Sequence, residues 1–249
     1  MTSVKRIAVV SDIHVPFECK NALNTFFSWL NDFKPHKVVL NGDILDLAAC
    51  SLHKDADAGR VLAEELEAGN RFLDRLRAIV GTSCEIFYNE GNHEARFNSF
   101  IKTKAPALNG LTSLPEALRL DKRRIKWLPY SGDNVLFVTP KLGITHGFAH
   151  GVNYTRATLL KYNISVIVGH AHRPEASKVP VIGQDGQHTR GCWGSGCLVP
   201  VTHVSYMKQP TGWTQGWTAV YALPNGDFSV YPVDLHNGKV VWNGKVYGK

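Results

Sequence analysis

No stretch of the 249-residue sequence approaches the ~20 consecutive apolar residues that a membrane-spanning helix needs. The first apolar run, Ile7 to Val10, is too short for the core of a signal peptide. A cytoplasmic chain with no membrane partner is therefore expected. Cysteine is sparse: Cys19, Cys50, Cys84, Cys192 and Cys197 make an odd count with no zinc-finger spacing. Cys192 and Cys197 are close enough in sequence to bridge, but buried free thiols in a reducing compartment are the expected state. Internal repeats, low-complexity tracts and linkers are also missing, so one domain over residues 1–249 is expected. Acidic residues are the scarcer charge, 21 Asp and Glu against 28 Lys and Arg, a net +7. That sign suits phosphate-bearing partners, and it equally suits a plain basic surface. Nothing marks a protein partner.

What is present is globular: 44% hydrophobic and 20% charged residues, in a chain long enough for a large core. Ile7 to Val10 and Lys37 to Leu40 read as buried strands. Between them, Leu23, Phe26, Phe27 and Leu30 give residues 21–33 the spacing of a helix face. The order strand, helix, strand makes a parallel βαβ unit. A long amphipathic helix is expected over Asp55 to Val80, stopped by Gly81, and a strand over Cys84 to Tyr88. Residues 95–130 are irregular and read as a flap or insertion. Two strands, Val135–Val138 and Leu142–Thr145, come next. A helix over Tyr154–Tyr162 and a strand over Ile164–Val168 follow. Residues 175–249 read as a β-rich part, with hairpin turns at Asn225-Gly226 and Asn237-Gly238.

Polar groups gather just beyond these strands. Asp12-Ile13-His14 follows the first and Gly42-Asp43 the second. Gly91-Asn92-His93-Glu94 follows the third, and His146 and Gly169-His170-Ala171-His172 end later ones. Open α/β sheets collect ligand-binding groups at such carboxyl ends. A lone histidine there is usually structural. Five histidines, two carboxylates and an amide are hard to explain by packing. A nitrogen and oxygen set without thiolate suits manganese, iron or zinc and argues against a structural zinc site. The set is too large for one tetrahedral ion.

The ordered blocks Asp-x-His, Gly-Asp, Gly-Asn-His-Glu, His-Gly and Gly-His-x-His, spread over residues 7–173, resemble the calcineurin-like metallophosphoesterase superfamily. The resemblance implies two facing mixed β-sheets flanked by helices, an α/β (α+β) fold. It also implies a hydrolase with two divalent ions, manganese first and iron, zinc or nickel as alternatives. By the resemblance, Asp12, His14 and His172 hold one ion, Asn92, His146 and His170 hold the other, and Asp43 bridges. Such a pair supplies a hydroxide nucleophile at neutral pH and clamps phosphoryl oxygens. Ligand histidines need acceptors to orient them. Asp46 is the candidate for that role, with capping of the next element as its alternative. His93 is expected beside the metals as proton donor or cation. His150 could face the site or the surface.

Protein phosphatases of the superfamily carry an arginine where this chain has Leu47, which counts against that branch. Small basic members similar to this one occur in phages, some described as DNA-repair exonucleases, and a phage-encoded chain would act in the host cytoplasm. A phosphodiesterase or nuclease on DNA or RNA is the leading expectation. It rests on the net charge, on Lys122, Arg123, Arg124 and Lys126, and on stacking by Trp193, Trp213, Trp217 or Trp242. At least two of these tryptophans are expected in the core. The alternatives are a phosphomonoesterase acting on nucleotides or phosphoproteins, and an inactive metal-binding module.

Overall fold

The computed structural model describes residues 3–51, 61–183, 186–201 and 212–248. β1 (Lys5–Val10), α1 (Lys20–Phe33) and β2 (Lys37–Asn41) form a parallel unit in which Ile7 pairs with Lys37 and Val10 with Leu40. The apolar run of β1 is continuous because both of its faces are covered. Ala8 and Val10 pack in the cluster that includes Phe26, Trp29 and Leu30 of α1. Ile7 and Val9 instead meet Leu142, Ile144 and Ile167 of a second sheet.

α2 (Leu62–Val80) ends at Gly81, and the part of the helix expected over residues 55–60 lies outside the described residues. β3 (Glu85–Asn89) runs parallel to β2 and leads into α3 (Asn92–Lys104). The segment 95–130, expected as an irregular flap, carries most of α3, then α4 (Leu114–Ala117) and β4 (Ile125–Leu128). β4 pairs parallel to β3 and forms an edge of the sheet. Its four residues and the narrow buried face of α3, chiefly Phe97 and Ile101, leave little periodic signal in the sequence.

β5 (Leu136–Thr139), β6 (Leu142–Thr145), α5 (Tyr154–Tyr162), β7 (Val166–Val168), β8 (Glu175–Gly183) and β9 (Gly186–Gly194) follow. They build the second sheet in the order β5-β6-β7-β9-β8, with α5 packed on its outer side. β10 (Gly216–Ala222) and β11 (Phe228–Asp234) return to the first sheet, whose order is β11-β10-β1-β2-β3-β4. β10 runs antiparallel to β1, so the β-rich C-terminal part is divided between both sheets. Asn237 and Gly238 both have positive φ and turn the chain into the hairpin β12 (Val240–Trp242) and β13 (Lys245–Tyr247). The result is two facing mixed sheets flanked by helices. All five cysteines are free thiols. No helix among the described residues is long and apolar enough to cross a membrane.

Candidate metal centre

The loops after β1 and β2 continue the strand pairing beyond the sheet. Asp12 N donates to Gly42 O at 3.0 Å, His14 N to Asp43 O at 3.0 Å and Val15 N to Ile44 O at 2.8 Å. This sets Asp12 and His14 beside Asp43. The loops of the second sheet are tied to each other by Gly169 N donating to His146 O, and they close on the first sheet's loops where Leu198 N donates to Asp12 O. The backbone is unusual at these positions. Asp12, His14, Asp43, His170 and His172 all have φ between 53° and 67° or, for Asp43, at 51°, in the left-handed region that costs a residue with a Cβ. Gly42, with φ at 81°, leaves room for the His146 ring, whose Nδ1 would lie 2.4 Å from any Cβ there.

Each aspartate has one oxygen fixed by backbone and one aimed inward. Asp12 Oδ2 accepts from His170 N at 3.0 Å, and Asp43 Oδ1 accepts from His93 N at 2.8 Å. The inward oxygens meet imidazoles. Asp12 Oδ1 is 3.1 Å from His172 Nε2. Asp43 Oδ2 is 3.3 Å from His146 Nε2, 3.8 Å from His93 Nε2 and 4.0 Å from His14 Nε2. Three clusters of donor atoms result: Asp12, His14 and His172; His14, Asp43 and His93; Asp43, His146 and His170. Asn92 belongs beside the third, its Oδ1 3.1 Å from His146 Nε2 and 2.9 Å from His170 Nδ1.

The donor atoms fit divalent cations. His146 Nδ1 donates to Asn41 O at 2.8 Å, so Nε2 of the neutral ring turns a lone pair toward the oxygens of Asp43 and Asn92. His14 Nδ1 likewise donates to Asp46 Oδ1 at 2.9 Å, and its Nε2 faces His172 Nε2 at 3.3 Å. Acceptors that face acceptors need a cation or a proton between them. Without metal the proton is held tightly. Burial opposes charge on His146, but Asp43 outweighs it and raises the pKa to about 9. Burial is likewise outweighed at His172, where Asp12 raises the pKa to about 10. Apart from the approach of Asp12 Oδ1 to His172 Nε2, the buried Asp12 Oδ1 and His172 Nδ1 have no hydrogen-bond partner among the described residues. Nitrogen and oxygen donors with no thiolate suit manganese, iron, zinc or nickel.

The Asp46 carboxylate accepts from His14 Nδ1, and the short helical turn at Ala48–Cys50 has no side-chain cap among the described residues. The Asp46 backbone oxygen accepts from His93 Nδ1 at 2.8 Å. Arg96 places a guanidinium nitrogen 3.0 Å from His93 Nε2. Burial disfavours charge on His93 while Asp43 and Asp46 favour it and raise its pKa. The hydrogen bonds select the neutral ring, because a proton on Nε2 would face a nitrogen that can only donate. Two residues without an expected role prove central. Glu94 supports the loop beneath Asp43, and Asn41 sets the tautomer of His146. Glu94 stands inside Gly-Asn-His-Glu, but the loop it supports, Asp43 to Leu45, lies about fifty positions away in sequence.

Aromatic rings flank the centre on both sides. Trp213, half-buried, lies 4.3 Å from the His172 ring. Opposite, Tyr130 is 5.9 Å from His146 and stacks at 4.6 Å on Phe148, which is 41% exposed. His150 is exposed, its ring 5.9 Å from His170. Trp193 and Trp217 are core residues, and Trp242 packs against Trp29 and Phe33. The basic cluster is elsewhere. Arg123 is held by Asp74, Asn70 and Leu118 O, and Lys126 lies over Phe87. Both stand at the start of β4. The metal centre follows the far end of its parallel neighbour β3, so the cluster and the centre occupy opposite ends of the sheet.

Residues 5–174 match the profile of the calcineurin-like phosphoesterases. The chain is similar to the gene 54 protein of Mycobacterium phage L5, 28% identical over 262 residues that cover 98% of each chain. It is similar at 28% to the gene 54 protein of Mycobacterium phage D29, over 235 residues and 88% of each chain. Among solved structures, vacuolar protein sorting 29 from Cryptosporidium parvum superposes over 99% of both chains with a TM-score of 0.50 and 13% identity, a likeness of fold alone.

Proposed function

The chain belongs to the calcineurin-like phosphoesterase family and is a metal-dependent phosphoesterase; we propose that it cleaves phosphodiesters of nucleic acid at a centre of two divalent ions. Asp12, His14 and His172 hold one ion, Asn92, His146 and His170 hold the other, and Asp43 is shared. The inward Oδ2 of Asp43, within 4.0 Å of imidazoles from both sets, supports the sharing. Manganese is the first candidate. Bound ions supply Lewis acidity and lower the pKa of coordinated water toward ~7.

The protein's own groups do the rest. Asp46 and Asn41 keep the metal-facing nitrogens of His14 and His146 free of protons once metal competes for them. His93 stands at the edge of the donor set, near enough to serve the leaving oxygen when its Nε2 is released from Arg96.

One observation carries the nucleic-acid reading: aromatic rings border the centre on both sides, Trp213 beside His172 and the Tyr130–Phe148 stack beside His146. A phosphodiester flanked by two nucleosides offers a base to each side, and base–aromatic stacking contributes ~1–3 kcal/mol per base. The net charge of +7 favours a polyanion in the same direction.

The test offers manganese-loaded protein an aryl phosphodiester, an aryl phosphomonoester and labelled single- and double-stranded DNA. DNA cleavage, with kcat/KM for the diester about tenfold or more above the monoester, is expected. Preference for the monoester with intact DNA would make the protein a nucleotide or phosphoprotein phosphatase. Full metal loading without any hydrolysis would leave an inactive metal-binding module.

A further inference from the structure

We infer that Arg96 is a phosphate-binding residue of this centre, donating to a non-bridging phosphoryl oxygen of the substrate. The inference rests on the phosphoesterase reading and deepens it. Arg96 lies one helical turn beyond His93 on α3, so both side chains emerge on the same side of the helix. One guanidinium nitrogen is 3.0 Å from His93 Nε2, and the other is 3.3 Å from Asp46 O. His93 Nε2 is itself 3.8 Å from Asp43 Oδ2, so a single imidazole nitrogen stands between the guanidinium and the carboxylate at the middle of the donor set.

Its partners are poor for a cation. Among the described residues no carboxylate pairs with Arg96, whereas Arg123, Lys126, Lys141 and Lys245 each have one. Arg96 is only half-buried, and it bonds to a neutral ring nitrogen and a carbonyl. A guanidinium offers five donors in a planar fork that matches phosphate geometry. Two bonds to neutral acceptors leave most of that capacity unused. A phosphate held at the metals would supply the missing anion. In moving to it, Arg96 would release His93 Nε2, the atom that must carry a proton to serve a leaving oxygen.

The experiment uses the whole chain, loaded with manganese to the wild-type stoichiometry, and titrates inorganic phosphate by calorimetry. Wild-type, Arg96→Gln and Arg96→Lys are compared, with metal content measured on each. The Kd for phosphate should rise ~10- to 100-fold in Arg96→Gln, as expected for a charge-assisted hydrogen bond. Arg96→Lys should recover part of it, having the charge without the fork. Metal content should stay at the wild-type value in both. Phosphate affinity within about twofold of wild-type in both variants would overturn the assignment and leave the phosphoesterase reading standing. So would a weakening in Arg96→Gln that tracks lost metal, since Arg96 would then only brace the His93 and Asp46 loops. Loaded wild-type protein that neither binds phosphate nor hydrolyses an ester would overturn the underlying reading and the assignment with it.

Discussion

Glu94 carries the backbone of Asp43: its Oε2 accepts from Asp43 N at 2.9 Å, and its Oε1 accepts from Ile44 N at 2.8 Å and Leu45 N at 3.0 Å. The same carboxylate takes Gly91 N at 2.9 Å and the Tyr88 hydroxyl at 2.8 Å. One fully buried side chain thus ties the loop after β2 to the loop after β3. Glu94→Gln would set amide donors against N–H donors, at a cost of ~3 kcal/mol. Thermal unfolding should show Tm lower by roughly 6–12 °C, at the 2–4 °C per kcal/mol of a chain this size. A Tm within about 2 °C of wild-type would mean the loop supports itself.

The orienting role proposed for Asp46 runs through His14. Asp46→Asn keeps the shape of the side chain but weakens its hold on the Nδ1–H of His14. Loss of such an orienting partner typically lowers metal affinity about 10- to 100-fold. Competition with a chelator should show that loss for one ion of the pair and little change for the other. Equal weakening of both would mean that Asp46 steadies the whole loop rather than one ligand.

His93 separates catalysis from ligation. It shares a cluster with His14 and Asp43, so a metal role is geometrically open. As a leaving-group acid it should cost ~10²–10⁴ in kcat when replaced by alanine, with both ions retained. The loss should be smaller on an aryl ester with a nitrophenolate leaving group than on an ester with an alkoxide. Elemental analysis showing one ion missing from His93→Ala would make it a ligand. Equal losses on the two esters would leave electrostatic stabilisation alone.

The basic cluster at 122–126 should not govern DNA binding. Arg123 is committed to Asp74, Asn70 and backbone carbonyls, and the cluster lies across the sheet from the centre. Arg123→Ala should destabilise the fold by about 2 kcal/mol, since it leaves Leu118 O and Asn70 without donors. The salt dependence of DNA binding should keep its slope when Lys122, Arg124 and Lys126 are neutralised. A flatter slope would show that DNA crosses that end of the sheet.

Much of the centre was legible because each ligand-type residue follows a strand whose apolar run is unmistakable. Asp12 follows Ile7–Val10, Asp43 follows Lys37–Leu40, and His170 follows Ile164–Val168. The parallel βαβ start was legible in the same runs, buried on both faces, whereas the two facing sheets were implied by the family resemblance. The supporting groups were not. Glu94 reads as an ordinary acid in the first turn of a helix, and its donors at Asp43, Ile44 and Leu45 come from a segment that meets it only in the folded chain. Arg96 reads as a solvated helix residue, and only its nearness to His93 marks it. The left-handed backbone at five aspartates and histidines contradicts local preference, so it has no sequence signal. β4 was missed because a four-residue edge strand after short helical turns carries no period to count.

The shared carboxylate is the centre of the account, and metal stoichiometry tests it most directly. Mass spectrometry of metal-reconstituted wild-type and Asp43→Ala should give two equivalents for the first and a value near zero for the second, because one side chain faces both donor sets. Retention of one full equivalent in Asp43→Ala would show two independent sites and contradict the shared centre.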